Sequence, residues 1–186
     1  TGISGQGKTY SIQTMLYELA KVNMRAVIFD YTEGFNKKQL EKPFVDAMNQ
    51  KIKERFFYYE GVPINPFIRH DIDLGGNIMK EKAADVASRL ADIFSHVYDF
   101  GDQQSSAVFT AILSGINRHG DKMNMTYFRA ELEELQEDNK VAKTVISKMN
   151  PFFQSISFEN DSDFDWGDVL YGTDSEINIF QLTGIN

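Results

Sequence analysis

The first nine residues contain a glycine-rich stretch whose spacing is suited to binding phosphate groups. Gly2, Gly7, Lys8 and Thr9 fit the pattern Gly-x-x-x-x-Gly-Lys-Ser/Thr. Glycines let successive backbone N–H groups turn inward around a phosphate. A helix that starts at the end of the loop adds the positive end of its dipole. The pattern therefore predicts a site for a nucleoside triphosphate.

The positions of this loop have separate roles in the predicted site. Lys8 would reach the β- and γ-phosphates as a point charge, and it is the predicted catalytic lysine. The hydroxyl of Thr9 would bind Mg²⁺, which prefers oxygen ligands. ATP and Mg²⁺ are the predicted cofactors, and GTP stays an alternative because no base-reading motif is evident. The residues predicted to bind the nucleotide are Gly2, Ser4, Gly5, Gln6, Gly7, Lys8, Thr9 and Tyr10.

Two acidic residues follow the next apolar run along the chain. Residues 26–29 are typical of a buried parallel strand, and Asp30 ends the run. A carboxylate at the carboxyl end of a strand, beside the loop, is suited to hold Mg²⁺ through a bound water. Starting a turn or capping the next helix is an equally good interpretation of Asp30. Glu33 could orient an attacking water, although an exposed surface role is favoured.

Other polar residues have weaker claims to a role. Gln181, in the last apolar run, could sense the γ-phosphate or be an ordinary polar strand residue. Arg118 could act on a neighbouring subunit of a ring, but a structural role is favoured. The histidines show no metal-ligand spacing and are predicted to be structural or exposed. They are His70, His96 and His119.

The composition indicates an ordinary globular protein. Of 186 residues, 42% are hydrophobic and 25% are charged, which excludes a disordered tail or a fibrous repeat. The net charge of −8 argues against a broadly basic surface that coats nucleic acid. The absence of cysteine excludes disulfides and thiolate chemistry and is compatible with a cytoplasmic location. No apolar run approaches the roughly 18 residues of a membrane span, so no membrane association is expected.

Hydrophobic patterning predicts strands near the two ends of the chain and helices between them. The predicted strands are residues 26–29, 56–59 and 177–182. The predicted helices are residues 9–20, 37–53, 80–98, 103–118 and 126–135, and one that starts near 138 and ends near 151. Thr126 and Asp138 are the predicted N-caps of the last two helices, and Pro151 the predicted stop.

This order of elements favours an α/β fold with a parallel-sheet core and a helical insertion. The predicted parts are residues 1–74 of the core, a helical subdomain over residues 75–155, and a return to the core sheet over residues 156–186. The chain opens inside the glycine-rich loop, and a strand-like run stops four residues before its end. We therefore expect a chain that is truncated at both ends and belongs to a longer protein.

Four short segments resemble the HerA/FtsK group of P-loop motor ATPases. The segments are residues 1–9, residues 27–35 with Asp and then Gly beside an acidic residue, residues 64–67 with an Asn-Pro step, and residues 179–184. The pieces Asp-Tyr-Thr-Glu-Gly-Phe from position 30 and Gln-Leu-Thr-Gly from position 181 look most similar to the ATPases of DNA phosphorothioation-dependent restriction systems.

The resemblance implies a P-loop NTPase core of the RecA/FtsK type. It also implies a hexameric ring in the parent protein that hydrolyses ATP and moves or unwinds duplex DNA, with restriction-system proteins as partners. In relatives an Asp-Glu pair supplies the Mg²⁺ aspartate and the catalytic base. That pair would lie beyond Asn186, so hydrolysis would belong to the parent protein.

Two other functions stay open at this point. A small-molecule P-loop kinase suits the length, but such kinases close a mobile lid with several arginines, and the six arginines here are dispersed. A non-catalytic ATP-binding switch or assembly module would use the ordering of loops as its output. Tight ATP binding without hydrolysis would favour the switch.

Overall fold

The computed structural model describes residues 7–48, 51–137, 139–155, 164, 166–172 and 177–184. These residues form a mixed α/β fold. It divides into two compact units, Thr1–Val62 with Asp161–Asn186, called the sheet unit, and Pro63–Asn160, called the helical unit. Several residues named above lie outside the described residues. They are Gly2, Ser4, Gly5, Gln6 and Asp138.

The helices and strands alternate irregularly along the chain. In order they are α1 (Lys8–Lys21), β1 (Ala26–Asp30), α2 (Lys42–Met48), β2 (Ile52–Phe56), α3 (Phe57–Glu60), β3 (Asp71–Leu74), β4 (Asn77–Lys80), α4 (Ala83–Tyr98), α5 (Asp102–His119), a 3₁₀ turn (Gly120–Lys122), α6 (Met125–Gln136), α7 (Lys140–Ser155), α8 (Trp166–Tyr171) and β5 (Ile177–Gln181). No helix of the described residues has both the length and the apolar character that crossing a bilayer requires.

A three-stranded parallel sheet with strand order β1-β5-β2 forms the centre of the sheet unit. β5 is buried along its whole length, because helices or aromatic side chains cover both of its faces. Leu16 of α1 and Phe44 of α2 pack with Ile179 on one face. On the other face, the ring of Phe180 lies 5.2 Å from that of Trp166 in α8.

Helix α1 runs antiparallel to the strands. Its second half packs on the sheet, where Leu16 and Ala20 join the same core as Ile177 and Ile179. Only residues 22–25 connect α1 to β1, and four residues span at most about 14 Å. The amino end of α1 and the carboxyl ends of the strands therefore lie at the same end of the sheet.

Helices α4, α5, α6 and α7 of the helical unit surround an aromatic core. Phe128 is fully buried, and its ring stacks on Phe94 at 5.7 Å with an interplanar angle of 9°. Phe67 and Phe153 approach the same ring within 5.7 and 5.9 Å. This cluster joins residues that are distant in the sequence, so it holds the unit together.

Several predicted elements are confirmed, although their ends differ by a few residues. The helices over 9–20, 103–118 and 126–135 correspond to α1, α5 and α6, and the strands over 26–29 and 177–182 correspond to β1 and β5. These elements have clear apolar periodicity of their own, so local sequence is enough to identify them.

The strand predicted over 56–59 is wrong. β2 covers Ile52–Phe56 instead, and Phe57–Glu60 turns into α3. Phe56 pairs with the last residue of β5, so the residues after it have no strand to pair with. The ring of Phe57 packs on Phe180 at 4.8 Å, whereas Tyr58 and Tyr59 are exposed.

Two predicted helices begin later than expected. The helix over 37–53 is shortened to Lys42–Met48, since Pro43 suits the first turn of a helix, and Lys53 belongs to β2. The helix over 80–98 begins at Ala83, because residues 71–80 form a hairpin. Gly75 and Gly76 allow its tight turn with φ of +67° and +92°.

Two predicted helix ends are also wrong. Asn124, not Thr126, caps α6, since its side chain accepts a hydrogen bond from the backbone N–H of Tyr127. Helix α7 continues through Pro151 to Ser155. Phe152 and Phe153 lie just past the proline and pack into the aromatic core, which outweighs the lost backbone hydrogen bond.

Replacing the central ring of the helical unit tests the importance of this core. We expect Phe128→Ala to lower the free energy of unfolding by about 3–5 kcal/mol, because it leaves a cavity among three other rings. Ile93→Ala, at a half-exposed position of α4, is the control and should change it by less than about 0.5 kcal/mol. Urea unfolding followed by circular dichroism measures both. Similar losses in the two variants would contradict this description of the core.

Candidate functional site

The described part of the glycine-rich motif is the junction of loop and helix at the amino end of α1. Gly7 has a left-handed backbone (φ 73°, ψ 14°), and the helix begins at the next residue, Lys8. The backbone N–H and the hydroxyl of Ser11 both donate to the carbonyl of Gly7, at 2.9 and 3.1 Å. The first N–H groups of a helix have no partner within it, so they and the dipole favour an anion here.

Three of the residues predicted to bind the nucleotide lie in the first turn of α1. Lys8 and Tyr10 are exposed, whereas Thr9 is half-buried. The two residues with charged or hydroxyl chemistry, Lys8 and Thr9, therefore occupy adjacent positions at the positive end of the helix dipole. This arrangement is compatible with one group that reaches phosphate and one that reaches a metal ion.

Asp30 lies at the carboxyl end of β1 and is 4% exposed. Its Oδ1 accepts hydrogen bonds from the backbone N–H of Thr32 at 3.0 Å and from the Thr32 hydroxyl at 3.1 Å. Its Oδ2 accepts from the backbone N–H of Phe35 at 2.7 Å. Burial acts to raise the pKa of the Asp30 carboxyl, but these donors, with the side chain of Gln181, hold it below its ordinary value.

These contacts make Asp30 the residue that closes the turn after β1. The interpretation that it starts a turn describes its contacts, while a role with Mg²⁺ stays a prediction. Glu33 lies inside the same turn, is exposed and has φ of 59°. A role for Glu33 in orienting water also stays a prediction.

Gln181 is the polar residue at the carboxyl end of the central strand. It lies in register with Asp30 on one side and with Phe56 on the other, and it is 1% exposed. Its Nε2 donates to Oε1 of Glu54 at 3.0 Å, and its own Oε1 has no donor among the described residues. The three strands thus bring two carboxylates and one amide together on the face that α1 covers.

Two polar residues that were not predicted from the sequence take part in this arrangement. Glu54 is one of them. It lies two residues from both Ile52 and Phe56 in β2, and this spacing is the signal that it shares their face of the sheet. Gln13 of α1 is 3% exposed, and its Oε1 accepts from the backbone N–H of Glu41 at 3.0 Å. A glutamine on the apolar stripe of a helix is the signal that could have identified it.

Arg118 belongs to the helical unit and is engaged there. Its guanidinium contacts Glu131 at 3.1 Å and Glu134 at 2.6 Å. His119 lies 3.4 Å from the same Glu131 and stacks on Tyr127 at 4.0 Å. These contacts agree with the structural roles favoured for both residues.

No group of three or more histidine, aspartate and glutamate side chains that could hold a metal ion occurs in the described part of the chain. No protein-family model matches the sequence, and no curated protein matches it significantly. Function is therefore inferred from the residues and their geometry.

The hydrogen bonds of Asp30 predict a pH-dependent contribution to stability. Its pKa is lowered on folding, so its stabilising effect is complete above the ordinary value of 3.8 and is lost as the pH falls below it. We expect Asp30→Asn to lower the free energy of unfolding at pH 7 by about 1–3 kcal/mol, because one backbone donor loses its acceptor. The difference from wild type should narrow below the ordinary pKa.

Denaturant unfolding at pH 7 and at acidic pH measures this difference. Asp46→Asn changes an exposed carboxylate of α2 and is the matched control, with little expected effect at either pH. A difference between wild type and Asp30→Asn that stayed constant with pH would contradict the proposed contribution of the ionised carboxylate.

Proposed function

We propose that this chain is the nucleotide-binding part of a Mg²⁺-dependent P-loop ATPase that acts on DNA. The observation that carries the proposal is the junction at Gly7, where the motif ends in a left-handed glycine and the helix starts with the motif's lysine. A tight glycine turn that leads directly into a helix is the structural context in which this motif binds phosphate.

The position of α1 in the sheet unit supports this proposal. Its amino end lies at the same end of the sheet as the carboxyl ends of the strands, and ligands of open parallel α/β sheets bind at that end. Asp30 and Gln181 end two neighbouring strands there. Lys8 would neutralise the phosphates and the Thr9 hydroxyl would hold Mg²⁺, which makes charge stabilisation the main contribution to catalysis.

The DNA motor is the finer part of the proposal and rests on the resemblance of residues 1–9, 27–35, 64–67 and 179–184 to HerA/FtsK-type ATPases. We propose a hexameric ring in the parent protein that hydrolyses ATP and moves or unwinds duplex DNA. Residues 30–35 and 181–184 resemble DptH, the ATPase of DNA phosphorothioation-dependent restriction systems, and this similarity favours such restriction as the biological setting.

Steady-state ATP hydrolysis by the parent protein, with and without duplex DNA, tests the proposed function. We expect hydrolysis that DNA stimulates, and we expect Lys8→Ala to lower kcat about 100-fold or more, because a preorganised positive charge is lost. Lys38→Ala, an exposed lysine in the turn before α2, is the control and should leave the rate unchanged. Hydrolysis that is indifferent to DNA would contradict the motor, and ATP binding without hydrolysis would favour the switch.

The metal role of Thr9 has its own test. We expect Thr9→Ala to raise the Mg²⁺ concentration needed for half-maximal hydrolysis about tenfold or more, because a ligand oxygen is lost. Thr9→Ser keeps the hydroxyl and should restore the wild-type dependence. A Mg²⁺ titration of the hydrolysis rate measures both variants, and equal behaviour of alanine and serine would exclude a ligand role for this hydroxyl.

A further inference from the structure

A cavity of about 380 Å³ lies between α1 and α2 in the sheet unit. Tyr10, Gln13 and Tyr17 line it from α1, and Phe44 and Ala47 line it from α2. Its size is within the range of sites for small molecules, about 300–1,000 Å³. The cavity begins two residues after Lys8, so it adjoins the end of the helix where phosphates are proposed to bind.

The walls of the cavity are suited to a flat heterocyclic ring. Two tyrosine rings and the ring of Phe44 supply aromatic surface, and Ala47 leaves space between the helices. Aromatic side chains bind nucleic-acid bases by stacking on their faces, a contact that every base can make. Tyr10 is 64% exposed, so its ring is accessible to a ligand in this cavity.

Gln13 adds a polar group to these aromatic walls. The side chain is 3% exposed, and its Oε1 is occupied by the backbone N–H of Glu41. This bond fixes which end of the amide is the acceptor, so the remaining group is the Nε2 donor. Nε2 has no acceptor among the described residues. A ring nitrogen or carbonyl of a base would satisfy it.

We propose that this cavity binds the base of the nucleotide whose phosphates are held at the amino end of α1. The proposal rests on the proposed function and extends it to the other end of the same ligand. Gln13 follows Lys8 by five residues, about 7.5 Å along the helix axis, a separation that the ribose and the α-phosphate can span. Gln13 donates to the base, and Tyr10 and Phe44 contact its face.

Comparing ATP with inorganic tripolyphosphate separates the contribution of the base from that of the phosphates. Isothermal titration calorimetry in the presence of Mg²⁺ gives the Kd of each for the full chain. We expect ATP to bind at least about tenfold more tightly than tripolyphosphate. Ala47 is exposed, so larger side chains at this position narrow the cavity without disturbing the buried core.

A size series at position 47 tests whether the cavity is the site. We expect Ala47→Leu to weaken ATP binding a few-fold and Ala47→Trp about tenfold or more, while both bind tripolyphosphate as wild type does. Asp46→Trp places the same ring on α2 at a residue that does not line the cavity. It should keep the wild-type ratio of the two Kd values, since any effect of the lost charge acts on both ligands. Thermal unfolding of each variant checks that it is folded.

The outcomes distinguish this inference from the proposed function. Equal Kd values of ATP and tripolyphosphate for wild type, or an equal loss of both in Ala47→Trp, would overturn the base site and leave the phosphate site standing. If neither ligand binds wild type, the proposed function fails and the base site fails with it.

Discussion

The parallel pairing of β5 with both β1 and β2 is the interaction on which the sheet unit depends. β5 follows β2 by about 120 residues of chain, yet it lies between β1 and β2 in the sheet. All five of its residues are buried, because α1 and α2 pack on one face and an aromatic cluster on the other. Without this strand, β1 and β2 would have unpaired backbone groups toward each other, and both faces would lose their central apolar residues.

The register of that pairing also decides which polar residues meet. Asp30 and Phe56 lie opposite Gln181, and Glu54 is close enough to accept from its amide. A shift by one residue would send each of these side chains to the opposite face of the sheet. The buried side chains of Asp30 and Gln181, with the half-buried Glu54, therefore specify the register together with the apolar residues, since a buried polar group without a partner is costly.

Local periodicity was enough to predict α1, β1, β5 and most of the helical unit, because those residues bury one face of an element or, in β5, both. It failed where a distant partner decides the structure. β2 ends at Phe56 because β5 ends opposite it, and α7 passes Pro151 because two following rings join a core built from other helices. The Gly-Lys-Thr junction was predictable from three adjacent residues, whereas Gln13 contacts Glu41 across 28 positions and no pattern announces that contact.

The segment over residues 31–41 is held at both of its ends by the elements of the candidate site. At its start Asp30 accepts from Thr32 and Phe35, and at its end Gln13 accepts from the backbone of Glu41. Asp30 ends β1 at the end of the sheet where α1 begins, and Gln13 lies in the first half of α1. A ligand at the amino end of α1 changes this segment only if it binds two arrangements of these hydrogen bonds with different affinity.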